Sequence, residues 1–399
     1  MPGLSSAALR TAEFRRILLI KFSALGDVVH SIPVVNKLRR RYPTAEIDWL
    51  LRPAFAELMA HHPAVSHAIP FPRRRWAGPW RGQGPRLAGL ARLLSHLRSR
   101  HYDLVVDLQG QLRSAILTFA TGADVRIGFD RPRPEIRRRS ERELPAEAWK
   151  HCWQGAREGA WLAYSHHITL PTIDLHAVDR YLCLGPMLGL DPDAPDFSLV
   201  IPADALARVD PLLSGDGVGG PLEQSAPIVL APSTRWETKH WRSEGFGEVA
   251  RYFVAKGRAV ALIGSAEERI ACDAIAAAAP GTVNLAGRTS VPELAALLRR
   301  CAVCVTNDSG PMHLAVALDR PVVSMFGPSD PLWIGPYRRP DAVVSANLPC
   351  SPCYLRELSR CPYEHACMQQ ISSETVIERI EATLAAADCF TVLPAAAGG

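Results

Sequence analysis

Apolar residues along this chain fall into two alternating textures. Runs such as "RILLI" (16–20), "EIDWLL" (46–51), "HAIPF" (67–71) and "DLVVDLQ" (103–109) are nearly continuous, as in strands covered on both faces. Between them, apolar positions recur three and four apart. "DVVHSIPVVNKLRRRYP" (27–43) is helical in pattern after its proline, and "FAELMAHHP" (55–63) and "LAGLARLLSHLRSRHY" (87–102) follow the same period. "HAVDRYLCLGPMLGL" (176–190) reads as a further helix, ended by Gly189. Alternation of this kind predicts a parallel sheet with helices on both faces.

The texture changes at "LDPDAPDFSLVIPADALARVDPLLSGDGVGGPLEQSAP" (190–227), rich in Pro, Gly and Asp, and the interdomain linker is expected in or near it. Its formal G-x-G-x-x-G (Gly215, Gly217, Gly220) has a helical, Pro-containing stretch before it where a strand is needed, and Pro221 after it, so it is not a dinucleotide fingerprint. The strand–helix pattern then restarts. "IVLAPS" (228–233), "AVALIGS" (259–265), "AVCVTND" (302–308) and "PVVSMFG" (321–327) read as strands. "SEGFGEVARYFVAKG" (243–257), "AEERIACDAIAAAA" (266–279), "VPELAALLRRC" (291–301), "GPMHLAVALD" (310–319) and "SSETVIERIEATLAAA" (372–387) read as helices. The expectation is two consecutive Rossmann-like α/β domains, 1–205 and 206–372, with a closing helix and tail at 373–399. Ligands of such sheets bind outside the carboxyl ends of the strands, so two facing sheets would place a site in the cleft between them.

Length supports that division, since 399 residues suit two domains of roughly 200 each. A hydrophobic content of 48% is enough to build real cores, while no apolar run approaches the roughly 18–20 residues that cross a bilayer. The N-terminal "MPGLSSAALRTAEFRR" has no apolar h-region, so a cytoplasmic location is expected. The net charge of +5 is modest but uneven: "RRRW" (73–76) and "RIGFDRPRPEIRRRSERE" (126–143) both lie in the first half. Arginine forks suit phosphate and carboxylate, which points to an anionic partner. No RNA- or DNA-binding signature accompanies them, and nucleic acid is not expected. Four of the ten cysteines cluster as C-x2-C-x7-C-x5-C (Cys350, Cys353, Cys361, Cys367), which in a cytoplasmic chain reads as reduced thiols or as a structural Zn or Fe site.

Candidate chemistry gathers at four strand ends. "KFSALGDVVHSIP" (21–33) carries Asp27 where a phosphate-binding turn would carry glycines. "APSTRWETKHW" (231–241) offers Ser233, Thr234 and Lys239, and "IGSAEER" (263–269) offers Glu267, placed to accept from vicinal hydroxyls. In "TNDSGPMHLA" (306–315), Asp308, Ser309 and Gly310 stand at a helix start, with Pro311 in its first turn and His313 one turn on. Free N–H groups and the positive end of the helix dipole make that start suited to phosphate. With Ser233, Thr234 and Lys239 at a neighbouring strand end, a diphosphate site is expected.

"RILLIKFSALGDVVHSIP", "STRWETKHW" and "TNDSGPMHLAVALDRPVVSMFGPSDP" resemble the motifs of glycosyltransferase family 9, over roughly residues 15–385. The best-known members of that family are the ADP-heptose:lipopolysaccharide heptosyltransferases. The resemblance implies a GT-B fold and inverting transfer of heptose from ADP-L-glycero-D-manno-heptose to a Kdo-bearing lipid A core, with no cofactor. It implies Asp27 as general base, Lys239 on the donor diphosphate with Ser233 and Thr234 nearby, and Glu267 on the ribose. Asp308 would contact the sugar, the Ser309 and Gly310 amides would hold phosphate, and His313 would lie in the same site. "AIPFPRRRW", "AREGAWLAYSHHI" and "HAVDR" extend the resemblance, and imply that Arg73, Arg74, Arg75, Arg157 and Arg180 meet an anionic lipid acceptor at the inner face of the cytoplasmic membrane. The chain departs from the pattern in Ser233 and Ser309, where threonine is usual, in its Arg-Pro insert (131–147) and in its cysteine cluster. A protein acceptor, known for relatives that carry a cysteine-held iron, or another nucleotide sugar are the alternatives.

Overall fold

The computed structural model describes residues 5–71, 84–133, 155–214 and 226–391. They divide into two compact units, one running up to Val200 and the other starting at Ile201. The first unit contains β1 (Arg16–Ile20), β2 (Glu46–Leu51), β3 (His67–Pro70), β4 (Leu104–Asp107), β5 (Val125–Phe129) and β6 (His166–Ile168). Their order across the sheet is β3-β2-β1-β4-β5-β6, all parallel. The second contains β7 (Ile228–Ala231), β8 (Val260–Leu262), β9 (Val283–Asn284), β10 (Val303–Asn307), β11 (Val322–Met325) and β12 (Val343–Val344). Their order is β12-β11-β10-β7-β8-β9, again all parallel. Each unit therefore starts in mid-sheet, steps out to one edge, then crosses to the other side of its first strand. Each has one switch point, between β1 and β4 and between β7 and β10, where the helices leave in opposite directions and a crevice opens at the strand carboxyl ends.

The near-continuous apolar runs do form strands buried along their length, β4, β7, β10 and β11 completely. In the first unit Leu18, Ile20, Leu50, Val105, Leu97 and Leu117 share one core, with Phe22 stacked on Phe71 at 4.3 Å. In the second, Leu230, Trp241, Phe246, Val305, Met325, Met368 and Ile380 do the same. The first long helix runs Leu25–Arg41, straight through Pro33 rather than starting after it. Val28, Val29 and Ile32 before the proline and Val34, Val35 and Leu38 after it are all buried. At about 1.5–3 kcal/mol for each such side chain, their burial outweighs the roughly 3 kcal/mol cost of an interior proline.

A further difference from the sequence reading concerns the edges. β5, β6, β9 and β12 lacked a clear apolar run; β5 is hidden at the head of the second arginine-rich stretch. The helical pattern ahead of the glycines in the Pro/Gly/Asp-rich stretch does form a helix. Helix Ala203–Ser214 packs on helix Val291–Arg299, and Arg208 Nε donates to Glu293 Oε1. The G-x-G-x-x-G at 215–220 lies outside the described residues. Helix Ser373–Thr391 packs on β11 and on helix Ser243–Ala255, as part of the second unit. No helix of the described residues is long and apolar enough to cross a membrane.

Candidate active site

At the first switch point the chain leaves β1 through Lys21–Ala24 and enters helix Leu25–Arg41, with Asp27 in its first turn. The two oxygens of Asp27 face different work. Oδ2 accepts from the Ala24 N–H at 2.8 Å, a cap on the helix start. Oδ1 accepts from the Tyr181 hydroxyl at 2.9 Å and lies 3.6 Å from Lys21 Nζ, while the side chain as a whole stays partly exposed. Capping therefore does not exhaust this carboxylate. Lys21 is buried; its ammonium also donates to the Leu108 carbonyl at 3.1 Å and sits 4.8 Å from the Tyr181 ring centroid. Burial pulls its pKa below the ordinary lysine value, against the attraction of Asp27 and Asp107. Burial likewise pushes the Tyr181 hydroxyl well above its usual pKa, with the Asp27 charge adding to it, so it stays a hydrogen-bond donor.

The other side of this switch point is fixed by Asp107 at the end of β4. Its carboxylate accepts from the Gln109 N–H at 2.8 Å, the Gly110 N–H at 3.2 Å and the Tyr164 hydroxyl at 2.8 Å. Gly110, at φ +62°, makes the turn that this ring of donors requires. Burial raises the Asp107 pKa, opposed by those donors. Gln109 Oε1 in turn accepts from the Phe22 N–H at 3.2 Å, which joins the β4 turn to the turn that carries Asp27.

At the second switch point β7 and β10 end in the segments that carry Ser233, Thr234 and Lys239 and Asn307–Gly310. Lys239 Nζ meets Asp308 Oδ2 at 2.5 Å, both side chains buried, and Ser329 Oγ donates to the same oxygen at 2.5 Å. Thr234 Oγ1 donates to the Asp308 carbonyl at 3.0 Å. Asn307 ties the two strand ends together: its amide donates to the Pro232 carbonyl at 2.7 Å and its oxygen accepts from the Trp241 N–H at 3.0 Å. Ser309 caps helix Gly310–Ala317 in extended backbone without a side-chain bond to the helix; its hydroxyl lies 2.8 Å from Thr306 Oγ1. The first N–H groups of that helix thus start beside the Lys239–Asp308 pair. His313 is buried one turn further on.

The sequence-derived residues thus fall into two groups. Asp27 and Arg180 share the first, with Arg180 buried next to Tyr181 and its charge felt by Lys21. Thr234, Lys239, Asp308, Ser309 and Gly310 share the second, and Ser233 is half-buried in the same turn. Glu267 stands exposed after β8; the neighbouring Glu268 is the acid that caps, accepting from the Ser265 N–H at 2.6 Å. Arg157 is exposed, its N–H bonded to the Gly110 carbonyl at 2.8 Å. Arg73, Arg74 and Arg75 lie outside the described residues.

Lys21, Tyr181, Ser329 and the cysteine segment went unrecognised as parts of these sites. A lysine closing an apolar strand was a usable signal for Lys21; Ser329 lies inside the motif ending in "FGPSDP" and Tyr181 directly follows "HAVDR", so position beside these motifs was the signal for both. The cysteine segment braces the Lys239 turn. Thr238 Oγ1 donates to the Leu355 carbonyl and His365 Nε2 to the Thr238 carbonyl, both at 2.6 Å. Cys367 is buried in the core, and burial pushes its thiol up to about 12, with Cys353, Cys350 and Cys361 close enough to add to the shift. Among the described residues, no three of His, Cys, Asp and Glu are gathered into a group able to hold a metal ion.

Two doubly wound parallel sheets in sequence are the architecture of GT-B glycosyltransferases, the fold of the heptosyltransferases this chain is similar to. The family model described as Glycosyltransferase family 9 (heptosyltransferase) matches residues 90–154 and 143–364. The chain is 32% identical over 396 residues to the Lipopolysaccharide heptosyltransferase 1 of Pseudomonas aeruginosa, covering 93% of this chain and 98% of that one. Among solved structures it is similar to the Escherichia coli heptosyltransferase WaaC with ADP-2-deoxy-2-fluoro heptose, at a TM-score of 0.66 and 26% identity over 92% of this chain and 99% of that one. A glycosyl transferase family 9 protein of Veillonella parvula shares the fold at a TM-score of 0.73 and 20% identity, over 94% of this chain and 98% of that one. The chain belongs to glycosyltransferase family 9, the heptosyltransferases.

Proposed function

We propose that this protein moves a heptose from ADP-L-glycero-D-manno-heptose to the Kdo-bearing lipid A inner core in lipopolysaccharide biosynthesis, inverting the anomeric centre. The transfer chemistry rests on the two switch points, a held but partly exposed carboxylate at one and a lysine beside a helix N-terminus at the other; the heptose donor and lipid acceptor rest on the 32% identity to a Lipopolysaccharide heptosyltransferase 1. A sugar hydroxyl becomes a competent nucleophile as Asp27 takes its proton. Its oxygen bonds to the anomeric carbon while the bond from that carbon to the diphosphate breaks, and the electron pair leaves on ADP. Lys239 and the amides that open helix Gly310–Ala317 meet the leaving-group charge. Asp308 would repel phosphate, so its place is on the donor sugar's hydroxyls. Ser233 and Thr234 line the diphosphate, Glu267 takes the ribose, and His313 belongs to the same donor site. Arg73, Arg74, Arg75, Arg157 and Arg180 serve the anionic acceptor, and the protein works at the cytoplasmic face of the inner membrane as a peripheral protein.

The test is a panel of nucleotide sugars offered to the purified protein with Kdo-lipid A and with protein acceptors in parallel. Transfer from ADP-heptose to the lipid acceptor, with inverted configuration in the product, is expected. Transfer to protein alone, or from another nucleotide sugar alone, would overturn the reading.

A further inference from the structure

Helix Leu112–Ala120 buries Ser114, Ala115, Leu117 and Thr118 and turns its other face outward. That outward face holds Leu112 (50% exposed), Ile116 (52%) and Phe119 (68%), at a spacing of four and three that aligns them in one stripe. The 3-10 helix Ala160–Ala163 packs along the same helix and adds Leu162, 82% exposed, with Trp161 half-buried beside it. Single exposed apolar residues are ordinary, but a contiguous stripe of large ones marks a contact surface.

The rim is basic. Arg113 is exposed on the same helix. The Arg126 guanidinium lies 5.9 Å from the Phe119 ring centroid and donates to the Ala163 carbonyl, bridging the helix and the 3-10 turn. Arg98 lies against Gly122 just past the helix end. It belongs to the adjacent helix Gly84–Ser99, on which Arg92 is also exposed. Asp124, within reach of Arg126, and Glu158, whose carboxylate accepts from the Leu112 N–H at 3.1 Å, are the acids at the border. An apolar stripe with an arginine rim has the chemistry of an interfacial helix on an anionic bilayer.

The stripe is also continuous with the acceptor-side machinery. The turn that launches the helix is the one bonded to the Asp27 turn through Gln109 and Lys21. We propose that the Leu112, Ile116, Phe119 and Leu162 surface docks this protein on the anionic headgroup surface of a phospholipid bilayer, bringing a membrane-embedded glycolipid to Asp27. This rests on the reading of the acceptor as lipid-anchored.

The test is co-sedimentation of the full chain with vesicles of equal parts phosphatidylglycerol and phosphatidylcholine, and with phosphatidylcholine alone. Wild type should pellet with the anionic vesicles, and Leu112→Gln/Ile116→Gln/Phe119→Gln should lose roughly 10-fold or more in partitioning. Arg113→Gln should weaken it about fivefold, on anionic vesicles only. Ile270→Gln, another exposed apolar residue in the second unit, should change nothing. The triple variant should keep its melting temperature, its ADP affinity and its turnover of a soluble, de-acylated acceptor. Failure of wild type to bind, or a triple variant that binds as strongly, would overturn the proposal. So would a triple substitution that converts a dimer to a monomer while vesicle binding persists, because the stripe would then be a self-association surface. Vesicle binding lost through the stripe supports the docking surface even if heptose transfer is absent, so the two readings fail separately.

Discussion

At the residue scale, Asp27 caps a helix and keeps its carboxylate partly exposed for the proton transfer we propose. One oxygen caps its own helix; the other is held by Tyr181, with Lys21 close by. Tyr181→Phe keeps the ring against Lys21 and removes one hydrogen bond to a charged acceptor, worth about 1.5–3 kcal/mol. We expect kcat to fall roughly 10-fold while KM for the donor and ADP affinity stay unchanged, since loss of orientation acts on the base alone. Steady-state kinetics varying each substrate in turn will read this, and an equal loss of ADP affinity would make Tyr181 merely structural. The sequence exposed Asp27 because it breaks the glycine-rich pattern expected at its position. Tyr181 lies 154 residues away and is brought in by the fold, so only its place directly after "HAVDR" marked it.

At the scale of elements, two braces matter. The first ties helix Leu25–Arg41 to the chain ahead of Val200: Lys37 Nζ and Arg40 Nε donate to Asp191 at 2.5 and 3.0 Å, and Asn36 Nδ2 to the Asp196 carbonyl at 2.9 Å. Arg40 first, then Lys37, hold the Asp191 carboxyl down to about 2. A depressed acid contributes its stability above the unfolded pKa near 4 and loses it as pH falls toward 2. Asp191→Asn should therefore cost about 1 kcal/mol at neutral pH after allowing for solvent screening. Chemical denaturation across pH should show the difference shrinking below pH ~4; a constant difference would contradict the assignment. The second brace is the cysteine-bearing segment on the Lys239 turn. Thr238→Val leaves the buried Leu355 carbonyl without its donor, so a loss of about 1–3 kcal/mol is expected, with a raised KM for the donor. Denaturant melts and donor titrations check it; unchanged KM would separate the brace from the site. The central strands were legible because burial on both faces writes them as continuous apolar runs. The edge strands β6, β9 and β12, only two or three residues long, leave no such mark.

At the scale of the molecule, two units share one winding, and the candidate residues of each gather at the switch point that this winding creates. The two parallel sheets followed from the alternation of strand and helix. The identity of the sugar and acceptor did not, because phosphate and hydroxyl recognition look alike in any nucleotide-sugar enzyme; membership of the heptosyltransferase family narrows them. The division of labour between the two units is the central claim. Its most direct measurement compares wild type with Asp27→Ala, using ADP-heptose and a Kdo-lipid A acceptor, with ADP binding followed by calorimetry. Turnover should drop by about 100-fold or more while ADP binds as in wild type. Near-normal turnover in Asp27→Ala would contradict the account.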